Sequence, residues 1–189
     1  MCWLMADSIK KLVAIVGMAG SGKSEVARIF EQDGFEKIRF GDITDEEIRR
    51  RGLELNEENE RYVRQQLRKE YGMAAYAKLN LHKIDTLLKS SNVVIDGLYS
   101  WEEYLLLKSH YGERFCVVAV WASPKTRYER LIRRSVRPLT KEMAAERDVT
   151  EIENTNKGGP IAMADFTIIN ESTLPDLAKD VSRVIQVLK

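Results

Sequence analysis

The sequence is poor in the residues that staple a fold or bind metal. It holds two cysteines, Cys2 and Cys116, and two histidines, His82 and His110, among 189 residues. The cysteines lie far apart and form no Cys-x-x-Cys pair. That excludes a disulfide scaffold and a zinc ribbon and points to a reducing compartment. Two histidines leave little for a histidine-based metal site. An excess of one charge is also lacking, with 30 Lys+Arg against 29 Asp+Glu, net +1. This excludes a globally basic nucleic-acid binder and a strongly acidic disordered chain. Long apolar runs are missing too. Met1 to Ala6 is apolar but has no basic flank, and Asp7, Lys10 and Lys11 interrupt it. It reads as a frayed tail rather than a signal peptide. Leu12 to Gly20 is about half the length needed to span a bilayer. The expectation is a soluble cytoplasmic protein without a membrane partner.

What is present suffices for a core. The chain is 44% hydrophobic, and its length suits one domain. Short apolar runs alternate with amphipathic stretches. Leu12–Val16, Asn92–Gly97, Phe115–Trp121 and Phe166–Ile169 read as strands buried on both faces, and Phe35–Phe40 is a weaker fifth. Between them lie helical patterns. Ser24–Gln32 puts Val26, Ala27, Ile29 and Phe30 on one face, and residues 57–89 break near Gly72. Pro124 opens a helix that Pro138 stops, Thr140–Glu153 is a polar helix, and the last helix spans about 175–188. Alternating strands and helices predict an α/β fold with a five-stranded, mainly parallel sheet. No repeat, low-complexity tract or linker divides residues 1–189.

One stretch carries specific chemistry. Gly17-Met18-Ala19-Gly20-Ser21-Gly22-Lys23-Ser24 matches G-x-x-x-x-G-K-[ST] in full. Triphosphate oxygens need several N–H donors converging on a small volume, and glycines let the backbone curl into such a nest. The following helix directs free N–H groups and its positive dipole end at the anion. Lys23 supplies a point charge for the β- and γ-phosphates, and the Ser24 hydroxyl is placed to ligate Mg²⁺. The residue pattern thus calls for ATP and Mg²⁺. Asp96 ends an apolar strand, where a carboxylate can hold Mg²⁺, often through water. A guanine-reading Asn-Lys-x-Asp is absent, since Asn156-Lys157-Gly158-Gly159 has no Asp at its fourth position. A small self-contained kinase remains.

Asp42 follows the second strand, 19 residues after Lys23. Strand ends of open α/β sheets border the ligand crevice. Asp42 is therefore the candidate to orient an acceptor hydroxyl or take its proton; with a phosphate acceptor it becomes structural. Arg127, Arg130, Arg133 and Arg134 crowd one helix, with Arg137 beyond and Arg147 a later candidate. Arg130 and Arg134 share a face and are the candidates to neutralise charge on a transferring phosphoryl group. The near-zero net charge hides a division. Residues 42–60 hold eight acids and three bases, and residues 125–137 hold six bases and one acid.

Taken together, the Gly17–Ser24 loop, Gly41-Asp42, Asp96-Gly97, Ala122–Arg127 and Ala164–Asn170 resemble the adenylate-kinase-related and dephospho-CoA-kinase-like P-loop proteins, especially an archaeal-type family. The resemblance covers about residues 11–188. It implies a three-layer, nucleoside-monophosphate-kinase-like P-loop NTPase fold, phosphoryl transfer to a nucleotide-like acceptor, a helical acceptor region over about 43–90 and a lid over about 125–160, while the balanced charge and the lack of a known motif argue against a nucleic-acid partner. Arg130 to Arg134 resembles the arginine-bearing segment entering the lid of nucleoside monophosphate kinases. Those kinases usually carry Asp-Gly-Phe-Pro-Arg at the third motif, whereas Asp96-Gly97-Leu98-Tyr99-Ser100 has no arginine. The Ala164–Leu174 segment is more similar to dephospho-CoA kinase, which uses a ribose hydroxyl as acceptor. That likeness places Asn170 near the adenine. The alternative from another class is a nucleotide-binding regulatory module without transferase activity.

Overall fold

The computed structural model describes residues 9–135 and 138–189. The apolar tail with Cys2, and Arg137, lie outside the described residues. Five strands form one sheet: β1 (Leu12–Val16), β2 (Glu36–Arg39), β3 (Val93–Asp96), β4 (Phe115–Trp121) and β5 (Phe166–Ile169). Their order across the sheet is β2-β3-β1-β4-β5, and every ladder between them is parallel.

The central strands are buried on both faces, as continuous apolar runs require. All five residues of β1 are fully buried. The twofold alternation divides them: Leu12, Ala14 and Val16 enter one core, and Val13 and Ile15 enter the other. Each buried Val, Leu or Ile side chain contributes about 1.5–3 kcal/mol by leaving water. The weakly patterned fifth run also forms a strand, because β2 needs only Ile38 inside while Glu36, Lys37 and Arg39 stay exposed at the sheet edge.

Helices cover both faces. On the side of Val13 lie α1 (Lys23–Gln32) and α9 (Leu174–Leu188). α9 is nucleated by a capping box between Thr173 and Asp176, with Pro175 in the first turn. Its stripe of Leu177, Val181, Val184 and Ile185 is buried. On the side of Leu12 lie α2 (Asp42–Arg50), α3 (Glu57–Tyr71), α4 (Ala75–Leu87) and α5 (Trp101–Tyr111). Gly72, at φ 82°, separates α3 from α4 where the sequence pattern breaks. After β4 come α6 (Pro124–Ile132), α7 (Lys141–Thr155) and the short α8 (Gly158–Ala162). Among the described residues no helix is long and apolar enough to cross a membrane.

The consequence for function is geometric. Because all strands are parallel, their C-terminal ends share one edge. The loop after β1, Asp42 after β2, Asp96 ending β3 and Asn170 after β5 all arrive there.

Candidate functional site

The loop from Gly17 to Gly22 folds as a nest. Gly17, Gly20 and Gly22 have φ of 146°, 80° and 101°, values that disfavour any side chain. The surroundings demand glycine as well. A methyl group at Gly17 would collide with the Val120 carbonyl, and one at Gly20 would lie 2.7 Å from the Arg127 carbonyl. One at Gly22 would collide with the Asn170 amide. The loop is therefore gripped by β4, α6 and the residue after β5.

Among the described residues, the amides of Gly20, Gly22, Lys23 and Ser24 donate to no protein acceptor. They are unpaired donors at the start of α1, where the helix dipole is positive. Lys23 Nζ donates to the Met18 carbonyl at 3.0 Å. Burial, then repulsion from Lys157, pull its pKa from 10.5 down to about 7, although the residue keeps some solvent access. Ser24 is exposed and Asp96 half-buried. Among the described residues neither side chain has a hydrogen-bond partner. Register pairs Asp96 with Ile15, two residues before the loop. A hydroxyl and a carboxylate with free oxygens suit a hard cation such as Mg²⁺, which keeps several waters and needs few protein ligands. No group of three or more His, Cys, Asp or Glu forms a metal cluster among the described residues.

The other predicted residues land around this loop with partners the sequence did not reveal. Asp42 opens α2, and Arg39 Nη1 reaches both Asp42 at 3.0 Å and Asp45 at 2.9 Å. Arg39 stands opposite Asp96 in the β2–β3 ladder, so Asp42 and Asp96 share one corner. Asn170 is buried; its Nδ2 donates to the Ser21 carbonyl at 2.8 Å. The Asn170 amide braces the loop from behind. Arg130 Nη2 donates to the Asn170 carbonyl at 2.9 Å, and its Nη1 is buried without a partner. Arg134 is exposed. Desolvation first, and the like charge of Arg147 second, lower its pKa.

Further contacts around the loop were not legible in the sequence. Arg127, 4% exposed, donates to the Ala19 carbonyl in the loop at 3.1 Å and grips Asp148 of α7 through two bonds of 2.8 and 2.6 Å. It ties loop, α6 and α7 together. Lys157 is 1% exposed and donates to Glu151 at 2.6 Å. Glu151 also accepts from Arg147 Nε at 3.1 Å. Burial would raise the Glu151 carboxyl, but Lys157, Lys23 and Arg147 overcome it and hold the carboxyl at about 2. Tyr99 folds back over Gly97, and the Lys157 ammonium lies 5.4 Å from its ring centre. Glu103 fixes this turn by accepting from the Tyr99 and Ser100 amides, and burial pushes its carboxyl up to about 7. A usable signal existed at Asn156. A C-cap asparagine, here left-handed at φ 50°, turns the chain after α7. Lys157 follows at once and points inward.

A parallel sheet with a glycine-built loop between β1 and α1, Lys23 at its rim and a strand-ending Asp96 beside it defines the P-loop kinase fold. A family model described as AAA domain matches residues 13–157, and the chain belongs to that family. It also belongs with the UPF0200 proteins. It is 40% identical over 178 residues to one from Thermococcus kodakarensis, spanning 92% of this chain and 96% of that one. Another, from Thermococcus gammatolerans, is 41% identical over 179 residues, with 93% and 94% covered. Among solved structures, TT1252 from Thermus thermophilus superposes with a TM-score of 0.68 at 18% identity, covering 95% of this chain and 98% of that one. A dephospho-CoA kinase from Campylobacter jejuni gives 0.57 at 17% identity, covering 96% and 99%. A shikimate kinase from Acinetobacter baumannii in complex with shikimate gives 0.57 at 18%, covering 95% of each chain. At such identities the likeness is one of fold.

Proposed function

We propose that this protein transfers a phosphoryl group from ATP, with Mg²⁺, to a nucleotide-like small molecule, as an adenylate-kinase-related enzyme of the cytoplasm. The observation that carries the reading is the loop itself: four unpaired amides at the start of α1, with Lys23 beside them. Such a nest satisfies phosphate oxygens that water would otherwise solvate. Bound phosphate also returns the Lys23 ammonium toward its ordinary range, because the anion offsets the cost of burying its charge. Ser24 and Asp96 would hold Mg²⁺, which when bound neutralises charge on the phosphates. Arg130 and Arg134 border the triphosphate from α6 and the segment after it. Asn170 acts on the nucleotide through the loop it braces. Residues 43–90 form the acceptor side and residues 125–160 the lid, which excludes water as a competing acceptor.

A second reading has its own observation. Asp42 and Asp96 meet at one corner, and Asp96-Gly97-Leu98-Tyr99 brings no arginine for an acceptor phosphate. A hydroxyl acceptor, as in dephospho-CoA kinase, then suits the corner, with Asp42 orienting the attacking oxygen. Arg39 already occupies one Asp42 oxygen, so this carboxylate orients more than it abstracts.

The experiment incubates the protein with Mg-ATP and AMP, CMP, UMP, dephospho-CoA or no acceptor, and follows products. Phosphorylated acceptor is expected from the wild type, and Lys23→Ala should abolish it. ATP binding without turnover on any acceptor would favour the regulatory module instead. Undiminished turnover in Lys23→Ala would refute the loop assignment.

A further inference from the structure

The turn after β3 carries a hydroxyl that the fold itself does not use. Elsewhere Tyr76 pairs its hydroxyl with Thr44 at 2.6 Å, Tyr111 with Asp85 at 2.9 Å and Tyr128 with Asp148 at 3.0 Å. Ser100, next to Tyr99, donates to the Met73 carbonyl and accepts from the Glu103 amide. Tyr99 is partly buried, yet among the described residues its hydroxyl has no hydrogen-bond partner. A polar group left so costs free energy, and a ligand that pairs with it recovers that cost.

The ring that carries this hydroxyl is held on three sides. The Tyr76 ring meets it edge-on at 6.2 Å, and the Lys157 ammonium lies 5.4 Å from its centre. Its hydroxyl end covers Gly97, where an added Cβ would collide with the Tyr99 oxygen. Gly97 has φ 104°, so glycine is required there on both counts. Glu103 fixes the Tyr99 amide at 2.8 Å. The hydroxyl is thus presented at a set place on the edge where the strands end. Charged groups of four elements act on it: Asp96 of β3, Arg39 of β2, Glu103 of α5, and Glu151 and Arg147 of α7. Burial first, and Asp96 after it, raise its pKa, so it keeps its proton and serves as a donor. Arg39 links this point to Asp42, to which it donates at 3.0 Å. The corner therefore offers an O–H donor at Tyr99 and a carboxylate acceptor at Asp42. An alcohol oxygen can accept from the first and donate to the second. An ionised phosphate oxygen can only accept, and the charges of Asp42 and Asp96 repel it.

We infer that Tyr99 binds the acceptor: its hydroxyl donates to the attacking oxygen of an alcohol, which in turn donates to Asp42, and this pair selects a hydroxyl over a phosphate. The inference rests on the hydroxyl-acceptor reading above and names the residue that completes it.

Steady-state transfer from Mg-ATP to dephospho-CoA and to AMP, with products resolved by phosphorus NMR, tests this on the full chain. The wild type should place the new phosphate on a ribose hydroxyl. Tyr99→Phe keeps the ring, its cover over Gly97 and its contact with Lys157, and removes only the hydroxyl. It should lower kcat/KM for dephospho-CoA by about three- to ten-fold, the worth of one hydrogen bond, while KM for ATP stays within about two-fold. Combined with Asp42→Asn, the losses should fall short of multiplying, because both groups hold one oxygen. An unchanged kcat/KM in Tyr99→Phe, or an equal loss toward ATP, overturns the inference. So does transfer to the phosphate of AMP. Binding of Mg-ATP with transfer to neither acceptor overturns the kinase reading itself.

Discussion

The phosphate loop and the α6–α7 side that faces it are built by opposite means. The loop is a backbone object. Its eight residues are contiguous, and its shape follows from three glycines with positive φ. The facing side is a side-chain object. Arg127 and Asp148 stand 21 residues apart, and the whole assembly hangs on buried ion pairs. The difference teaches where each region is vulnerable. A loop of this kind fails when a Cβ is added, because space and dihedral are both wrong. A buried ion pair fails when one partner is removed, because the other charge is stranded.

Breaking the comparison at its strongest point starts with Arg127→Met. It leaves the buried Asp148 carboxylate without its guanidinium and frees the Ala19 carbonyl, so a loss of about 3–5 kcal/mol in chemical denaturation is expected. A loss below about 1 kcal/mol would show that the pair does not hold α7 to the loop. Gly20→Ala tests the other side. Its φ of 80° and the 2.7 Å approach to the Arg127 carbonyl should cost about 1–3 kcal/mol. Nucleotide binding should suffer more than this stability change implies, because the displaced amides are the ligands. The smallest effect sharpens the comparison through Lys23, where the two regions meet. With a pKa of about 7 when phosphate is absent, Lys23 is mostly neutral at pH 8. Bound phosphate raises that pKa, so ATP binding above pH 7 should take up protons. Affinity should then weaken as pH rises through 7, with a slope approaching about ten-fold per pH unit. Calorimetry in buffers of different ionisation enthalpy counts the protons. Uptake that persists in Lys23→Met would assign it to another group.

Much of this was legible from the chain alone, for reasons that can be named. Continuous apolar runs specified β1, β3 and β4, since a strand covered on both faces leaves no polar position to blur it. β5 is legible from the same kind of run, although as an edge strand it buries only Ile168. The break at Gly72 was equally local, whereas the last helix begins at Leu174 behind a Thr173 cap that the apolar pattern did not reveal. Pro138 was less exact as a stop, because α6 already ends at Ile132. Asp42 and Asn170 were singled out in the sequence, but their partners were not. Nothing near Asp42 in a pattern says that Arg39, three residues earlier and exposed, will bridge it to Asp45. Asn170 reaches Ser21 across 149 residues of sequence. The arginines from Arg127 to Arg134 looked alike in sequence. Burial divided them: Arg127 became a clamp, Arg130 holds the residue behind the loop, and Arg134 stays exposed.

The sequence by itself determined the phosphate loop, the strands that frame it and the parallel character of the sheet. Each depends on neighbours a few residues away: a glycine's dihedral, a run of side chains leaving water, a helix start. Tertiary structure alone decided which charges matter. Lys157 is one lysine among many until the turn at Asn156 buries it beside Glu151 and lays it on Tyr99. A charge acts according to its distance from other charges and from water, and neither distance exists until the chain has folded.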